Sequence, residues 1–135
     1  MSLGFEFDPG NKVLLVRVHG RLTDEVLAEC YRAIRVYSVQ TDARAGIFDF
    51  SGVTDFPISS EFIRQLARKE PAMPEGDKRP RVMVVPQTHG FGLARMFQMM
   101  GERTRPLFTV VKKMDQAFKV LDVNDPKFES LGPGA

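Results

Sequence analysis

The sequence lacks the features that mark a membrane, exported or disulfide-linked protein. Its 135 residues include one cysteine, Cys30, so the chain cannot form an intramolecular disulfide. No apolar run approaches the roughly 20 residues that a membrane helix needs. No leader with charged, apolar and small-residue parts is visible at the start. These absences predict a cytoplasmic protein without stable membrane insertion.

An excess of one charge is also absent. The formal net charge is +2, from 19 basic and 17 acidic residues. Such a small excess creates no strong field to attract nucleic acid or an anionic membrane. Basic clusters occur at 64–69 and 78–81, but no aromatic residues interleave with them in the manner of a nucleic-acid site. We therefore expect no nucleic-acid partner.

Catalytic and metal-binding motifs are missing as well. His19, His89 and Cys30 do not have the spacing of a zinc site. There is no G-x-S-x-G elbow, since the Ser51-Gly52 pair lacks the upstream glycine. The sequence thus predicts no enzyme activity, no metal and no cofactor.

The chain instead shows short apolar strands that alternate with amphipathic helices. Strands are predicted at 5–8, 12–19, 46–50, 81–85 and 107–112, and helices at 23–40, from 59 or 60 to about 70, at 89–102 and from 115 to about 121. This order predicts an α/β fold with right-handed crossovers and a mostly parallel sheet. We expect a single domain at 5–122, with a five-stranded mixed sheet and about four helices. A loosely held tail is expected at 123–135.

Several local expectations follow from turn and cap chemistry. The Asp8-Pro9-Gly10-Asn11 run predicts a type II turn with positive φ at the glycine, which would place the first strand at a sheet edge. Asp115 is the expected cap of the fourth helix. The third helix is expected to direct one stripe toward the sheet, formed by Leu93, Met96, Phe97 and Met100. The run 71–80 is expected to be a loop.

The stretch from Ile47 to Ser60 is the most informative part of the sequence. It predicts a buried strand that ends at Phe50, a polar loop, and a helix capped by Ser59 or Ser60. The predicted loop holds four polar residues: Asp49, Ser51, Thr54 and Asp55. Polar side chains after a buried parallel strand lie where α/β folds build their sites.

Two runs in the chain match a known family. The run 49–54, Asp-Phe-Ser-Gly-Val-Thr, is similar to the Asp-Leu-Ser-x-Val-x run of anti-sigma-factor antagonists. The run 91–97, after a Val-Val strand, looks like the third-helix start of the SpoIIAA-like branch. Over roughly 5–122 the chain therefore resembles the STAS-like family, and it looks closest to the bacterial SpoIIAA-like branch, which shares features with Sec14/CRAL-TRIO lipid-binding domains.

The resemblance implies a non-enzymatic regulatory module that binds a protein partner or a small ligand, with phosphoregulation and a homodimer as further expectations. Its alternative implication is a protein that binds or senses a small apolar ligand or lipid. In the classical antagonists the run continues Asp-Ser-Ser-Gly, and the first serine is phosphorylated. An ungapped alignment places Pro57 and Ile58 at that Asp-Ser pair, whereas one inserted residue places Ser59 at the serine and Glu61 at the glycine. Ser59 and Ser60 are thus the phosphoacceptor candidates, and plain helix capping is the alternative.

Two groups of residues are candidates for a binding loop. The first is Asp49, Ser51 and Thr54, although an aspartate at such a position often serves only to shape its own turn. The second is the strand-to-helix turn at Thr88, His89 and Gly90, where backbone amides could hold an anion or the glycine could simply permit close packing. An apolar groove is a third possibility, since methionine adapts to irregular apolar shapes, although core filling is the simpler interpretation. Its candidate residues are the eleven phenylalanines and Met73, Met83, Met96, Met99, Met100 and Met114.

Overall fold

The computed structural model describes residues 3–68 and 79–131. In chain order the elements are β1 (Leu3–Asp8), β2 (Val13–Arg21), α1 (Asp24–Gln40), β3 (Ala45–Asp55), α2 (Ser60–Arg68), β4 (Arg81–Val84), α3 (Thr88–Met100), β5 (Phe108–Val111), α4 (Met114–Leu121) and β6 (Glu129–Ser130). The predicted alternation of strands and helices is therefore confirmed.

The strands form one mixed sheet in the order β5-β4-β3-β2-β1-β6. β2, β3, β4 and β5 are parallel neighbours, and β1 pairs antiparallel with β2 as the predicted hairpin. Parallel strands buried on both faces are built from nearly continuous apolar runs. The valine- and leucine-rich β2 is such a run, and its residues 13–16 are fully buried.

The sheet separates two apolar clusters of unequal size. Alternate residues of a strand point to opposite faces. Leu14 and Val16 therefore pack in the larger cluster, with α1, α2 and α3, whereas Val13 and Leu15 pack in the smaller one, with α4. We call these the three-helix face and the α4 face. β3 divides in the same way, since Phe48 belongs to the larger cluster and Ile47 to the smaller.

Two helix starts have the caps that the sequence predicts. The Thr23 hydroxyl accepts a hydrogen bond from the Val26 amide at 3.2 Å and caps α1. The Ser59 hydroxyl accepts from the Phe62 amide at 3.0 Å at the start of α2. Because α2 begins at Ser60, Ser59 is the cap and Ser60 is the first helical residue.

β3 is longer than predicted, and the predicted polar loop lies on it. The strand runs to Asp55, so Asp49, Ser51 and Thr54 are strand residues. The pairing with β2 shifts register twice, after Arg17 and again after Gly20. At each shift β3 carries one extra residue, and such bulges allow a strand to continue while its side chains are redirected. The loop was predicted because these residues are polar, but the residues at the bulged end of a strand are polar as well, so polarity does not distinguish the two.

The sheet has six strands rather than five, because residues 129–130 pair with β1. β1 consequently lies between β2 and β6 and is not the edge strand that was predicted. The division into a domain at 5–122 and a tail at 123–135 stays a prediction, but residues 123–131 are not loose. Val123 is buried, and the Leu131 amide donates to the Phe5 carbonyl at 2.8 Å.

The hairpin turn also differs from its prediction. Gly10 does not have the positive φ of a type II turn, and Lys12 takes the left-handed conformation instead, with φ of 58°. The buried Asp8 carboxylate shapes the turn by accepting hydrogen bonds from the Gly10 and Asn11 amides at 2.9 and 3.1 Å. It also accepts from the Lys127 amide at 3.2 Å, and so ties the C-terminal segment to the hairpin.

The last two helices required smaller corrections. Met100 is 44% exposed and does not belong to the buried stripe of α3, whose buried residues are Gly90, Ala94 and Phe97. The cap position of α4 is Lys113 rather than Asp115, and the Lys113 amide donates to the Gln116 side chain at 3.1 Å. The loop predicted at 71–80, which includes Met73, lies outside the described residues except for its last two positions.

Candidate functional site

An exposed polar surface surrounds the start of α2. Thr54, Asp55, Ser59, Ser60 and His89 are all exposed there, at the end of β3 and the first turns of α2 and α3. We call these five residues the Ser59 face. Asp55 pairs with Arg21 at 3.3 Å, but both side chains are largely exposed, so this ion pair contributes little to stability. The Asp55 carboxylate is therefore available for other contacts at small structural cost.

Asp49 is not part of this surface. Its neighbours Phe48 and Phe50 pack on the three-helix face, so alternation directs Asp49 to the α4 face. Arg17 contacts Glu6 at 2.7 Å and Asp49 at 3.1 Å across three adjacent strands. Asp49 also accepts hydrogen bonds from the amide and hydroxyl of Ser51 at 3.0 and 2.6 Å. The buried Asp49 thus holds the first β3 bulge and pairs with Arg17, which is a structural role, and Ser51 serves the same bulge.

Gln87 fastens the start of α3 to the bulged end of β3. Its side-chain amide nitrogen lies 3.0, 3.3 and 2.7 Å from the carbonyl oxygens of Phe50, Ser51 and Val53. Register shifts leave strand carbonyls without ladder partners, and an amide donor can satisfy them. Gln87 occupies the N-cap position of α3, but its side chain makes no cap hydrogen bond. Nothing in the local sequence indicated which distant carbonyls it would contact.

Close packing between Phe56 and Gly90 joins the segment between β3 and α2 to the third helix. A Cβ atom added to Gly90 would lie 2.3 Å from the Cζ atom of Phe56. The Phe56 ring is 8% exposed, and it also makes an edge contact with the His89 ring at 6.4 Å between centroids. Gly90 is therefore explained by close packing, which is the second of the two interpretations that its sequence allowed. Thr88 and His89 remain exposed binding candidates.

An apolar cavity of about 80 Å³ lies between the three helices and the sheet. Phe48 and Met83 of the sheet line it, together with Tyr31 of α1, Ile63 of α2 and Leu93 of α3. Ile58, which directly precedes Ser59, also lines it. Among the candidate methionines that lie within residues 3–68 and 79–131, Met83 is the one that lines the cavity.

Two buried arginines border this cavity: Arg105, which sequence analysis did not consider, and Arg81, which it placed in the basic cluster at 78–81 and expected to be solvated. Arg105 donates to the carbonyls of Ala67 and Leu66 at 3.0 and 3.4 Å, and its guanidinium lies 4.8 Å from the Phe97 ring centroid. Burial lowers the pKa of Arg105, and Tyr31 acts in the opposite direction. Arg81 is 2% exposed at the start of β4. Its place in an otherwise apolar strand was the only signal in the sequence.

Cys30 lines the same cavity and is unsuited to nucleophilic chemistry. Burial, with a smaller effect from Glu29, raises the pKa of its thiol to about 12. The thiolate is the reactive form of cysteine, so the Cys30 thiol is unreactive as a nucleophile at neutral pH. Within residues 3–68 and 79–131, no three acidic, histidine or cysteine side chains group together to hold a metal ion. No helix in these ranges has the length and apolar character to cross a membrane.

The chain is thus an α/β domain whose mixed sheet carries three helices on one face and one on the other, with an exposed helix start after β3. Among solved structures, the anti-sigma factor antagonist SpoIIAA in its unphosphorylated form is similar, with a TM-score of 0.56 and 12% identity over 91% of this chain and 100% of that one. An anti-sigma factor antagonist from Mycobacterium paratuberculosis has a TM-score of 0.54 and 21% identity over 90% of this chain and 95% of that one.

A third similar structure is the Bacillus cell fate determinant SpoIIAA in its phosphorylated form, with a TM-score of 0.53 and 16% identity over 88% of this chain and 99% of that one. No protein-family model and no curated protein matches this chain. The chain therefore has the fold of SpoIIAA-type antagonists, and the resemblance stated from its sequence is confirmed at the level of the fold. Sequence identities this low show a shared fold only, so the function has to be argued from the site.

Proposed function

We propose that this protein is a non-enzymatic, cytoplasmic regulatory module that binds a protein partner through the Ser59 face. The observation that carries the proposal is the exposed Ser59 cap, which lies in the short segment between β3 and α2 of a domain with the fold of anti-sigma factor antagonists. Binding residues lie disproportionately often on exposed connecting segments that a rigid scaffold holds in position. The proposal leaves out Asp49, which is buried and paired with Arg17, and Ser51, which is exposed but donates its hydroxyl to Asp49.

We further propose Ser59 as the site of phosphoregulation, with Ser60 as the second candidate. The Ser59 oxygen already lies 3.0 Å from the Phe62 amide, at the positive end of the α2 dipole. A phosphate at an exposed helix start is stabilised by about 0.3–1 kcal/mol. Glu61 and Asp55 oppose it by their like charge, although each already has a cationic partner, Arg64 and Arg21 respectively. SpoIIAA, which shares the fold, is known in a phosphorylated form.

Affinity capture from the native cell, with partner identification by mass spectrometry, tests the partner role. The wild-type protein is compared with Ser59→Asp, which places charge at the cap, and with Asp55→Ala on the face. Asp115→Ala is the matched control, since Asp115 is an exposed carboxylate on α4, which packs on the other face of the sheet. We expect Ser59→Asp and Asp55→Ala to weaken capture of a shared partner, and Asp115→Ala to leave it unchanged. Equal capture by all four proteins would contradict the proposal.

Phosphopeptide mapping of protein isolated from its native cell tests the modification separately. We expect phosphate on Ser59, and its loss in Ser59→Ala but not in Ser60→Ala. Phosphate found only at other residues would leave Ser59 as a cap, whose replacement by alanine costs about 0.5–2 kcal/mol of stability. Native mass spectrometry of the same sample reports whether the protein is the predicted homodimer.

A lipid carrier, the alternative that the Sec14-like resemblance implies, has weaker support. Pockets for drug-sized ligands have volumes of about 300–1,000 Å³, whereas the cavity beneath the helices measures about 80 Å³. An acyl chain would require the helices to move apart. The cavity size therefore favours the partner-binding module over a lipid carrier.

A further inference from the structure

We propose that the cavity beneath α1, α2 and α3 is a binding site for a small neutral apolar molecule, no larger than a single aromatic ring. Binding there does not depend on the partner role proposed for the Ser59 face, so each can fail without the other.

The first argument is the depth of the cavity in the sheet. Met83 lies on β4, which has β3 on one side and β5 on the other, and its side chain points to the three-helix face. A residue in that position is normally sealed by helices, yet Met83 is only half-buried, as are Tyr31 and Leu93 on the two sides of the gap. The gap between α1 and α3 therefore gives access to the middle of the sheet.

The second argument is chemical character. The lining is apolar apart from the hydroxyl group of Tyr31 and the guanidinium groups of Arg81 and Arg105. The Arg105 guanidinium donates to two carbonyls at the C-terminal end of α2 and lies against the Phe97 ring. These contacts direct its N–H groups to the protein itself. A polar ligand group would need partners of its own to offset the loss of hydration, so an apolar and uncharged ligand suits this lining.

The third argument is size. An engineered apolar cavity of about 150 Å³ binds benzene or xenon and stays free of water. The present cavity of about 80 Å³ is smaller but open on one side. Met83 borders it, and methionine side chains readily adapt to the shape of a neighbour. One ring is therefore the upper limit that the observed walls allow.

The cavity also contacts the segment that leads into the Ser59 face. Ile58 and Phe56 both line it, and Ser59 follows Ile58 directly. The Ile58 amide donates to the Phe56 carbonyl at 2.8 Å, so these two residues form one tight turn. A ligand in the cavity touches this turn, and its presence should be detectable at the Ser59 amide.

Two-dimensional NMR of the full chain, titrated with benzene and in a separate sample with xenon, tests the proposal. We expect saturable shifts at the methyl groups of Ile58, Ile63, Met83 and Leu93, accompanied by shifts of the Ser59 amide. Benzoate has the same ring with a negative charge and should bind at least tenfold more weakly than benzene, because the lining would leave its carboxylate without sufficient partners.

Two cavity-filling variants make the test specific. Ala94→Leu adds three carbons at a lining position of α3, and we expect it to weaken benzene binding by about tenfold or more, as one methylene or more in an apolar pocket does. Ala28→Leu is the matched control, because Ala28 lies on α1 and does not line the cavity. If Ala94→Leu does not fold, Cys30→Met fills the cavity from α1 with a more adaptable side chain.

Three results would overturn the proposal. The first is the absence of saturable shifts with either probe. The second is benzene binding that Ala94→Leu and Cys30→Met weaken no more than Ala28→Leu does. The third is tighter binding of benzoate than of benzene, which would assign the site to an anion. Loss of partner capture by Ser59→Asp has no bearing on any of these results, so the two proposals are tested independently.

Discussion

Gly90→Ala should destabilise the protein even though it replaces a glycine within a helix. Alanine is favoured over glycine in a helix interior by about 0.5–1 kcal/mol. At this position, however, the new Cβ would lie 2.3 Å from the Cζ atom of Phe56, and 2.6 and 2.7 Å from two further ring atoms. Overpacking of a well-packed site costs about 1–3 kcal/mol. The packing cost should exceed the helical gain, for a net loss of roughly 1 kcal/mol.

Gly92→Ala is the matched control, because it makes the same change two residues further along α3. A Cβ atom at Gly92 would meet nothing within 4 Å. This variant should therefore show the helical gain alone, about 0.5–1 kcal/mol of added stability. The difference between the two variants then isolates the contact with Phe56, and we expect that difference to be about 1–3 kcal/mol.

Urea unfolding followed by circular dichroism measures both free energies, with the slope against denaturant checked for each variant. A double-mutant cycle with Phe56→Leu removes the ring that the new methyl group meets. In that background Gly90→Ala should be no more harmful than Gly92→Ala. The reasoning would be refuted if Gly90→Ala stabilised the protein as much as Gly92→Ala does in the presence of Phe56.

Three further predictions concern other groups. Burial raises the pKa of Asp8, but hydrogen bonds from Asn11, Lys127 and Gly10 outweigh it and leave the pKa below its ordinary value of 3.8. Asp8→Asn should therefore lower the free energy of unfolding by about 1–3 kcal/mol at pH 7. This loss relative to wild type should shrink as the pH falls below about 4, because the native carboxyl then becomes protonated. A constant loss from pH 7 to pH 2 would contradict the prediction. Cys30 should react with iodoacetamide at pH 8 roughly 1,000-fold more slowly in the folded protein than in urea, because burial raises the pKa of its thiol to about 12. Mass spectrometry measures both rates, and equal rates would show that the thiol is accessible in the folded protein. Gln87→Ala should lower the unfolding free energy by about 1–3 kcal/mol, which is more than Gln98→Ala should. The reason is that Gln98 donates to one carbonyl, at 2.9 Å, whereas Gln87 lies within hydrogen-bond distance of three. Equal losses in urea titrations would show that Gln87 does not hold the end of β3.

Local sequence patterns determined most of the architecture. The apolar runs at 13–16 and 82–85 indicated buried strands because such strands need apolar residues on both faces. Thr23 and Ser59 indicated helix starts because a hydroxyl at the cap satisfies a free amide of the first turn. Alternating strands and helices then left a mostly parallel sheet as the economical topology. These inferences depend on residues close together in the chain, and they proved correct.

Tertiary structure decided everything that depends on contacts between distant segments. β6 forms only because residues 129–130 meet the free side of β1, and a two-residue strand has no pattern of its own. Asp49 faces Arg17 rather than the Ser59 face because of its position in the β3 pleat, which a prediction of loop structure could not specify. The contact between Gly90 and Phe56, the three carbonyls near Gln87 and the cavity beside Met83 likewise require several elements to be assembled. The sequence alone identified the fold and the serines at the start of α2, whereas packing across the sheet decided which candidate residues are exposed and which are buried.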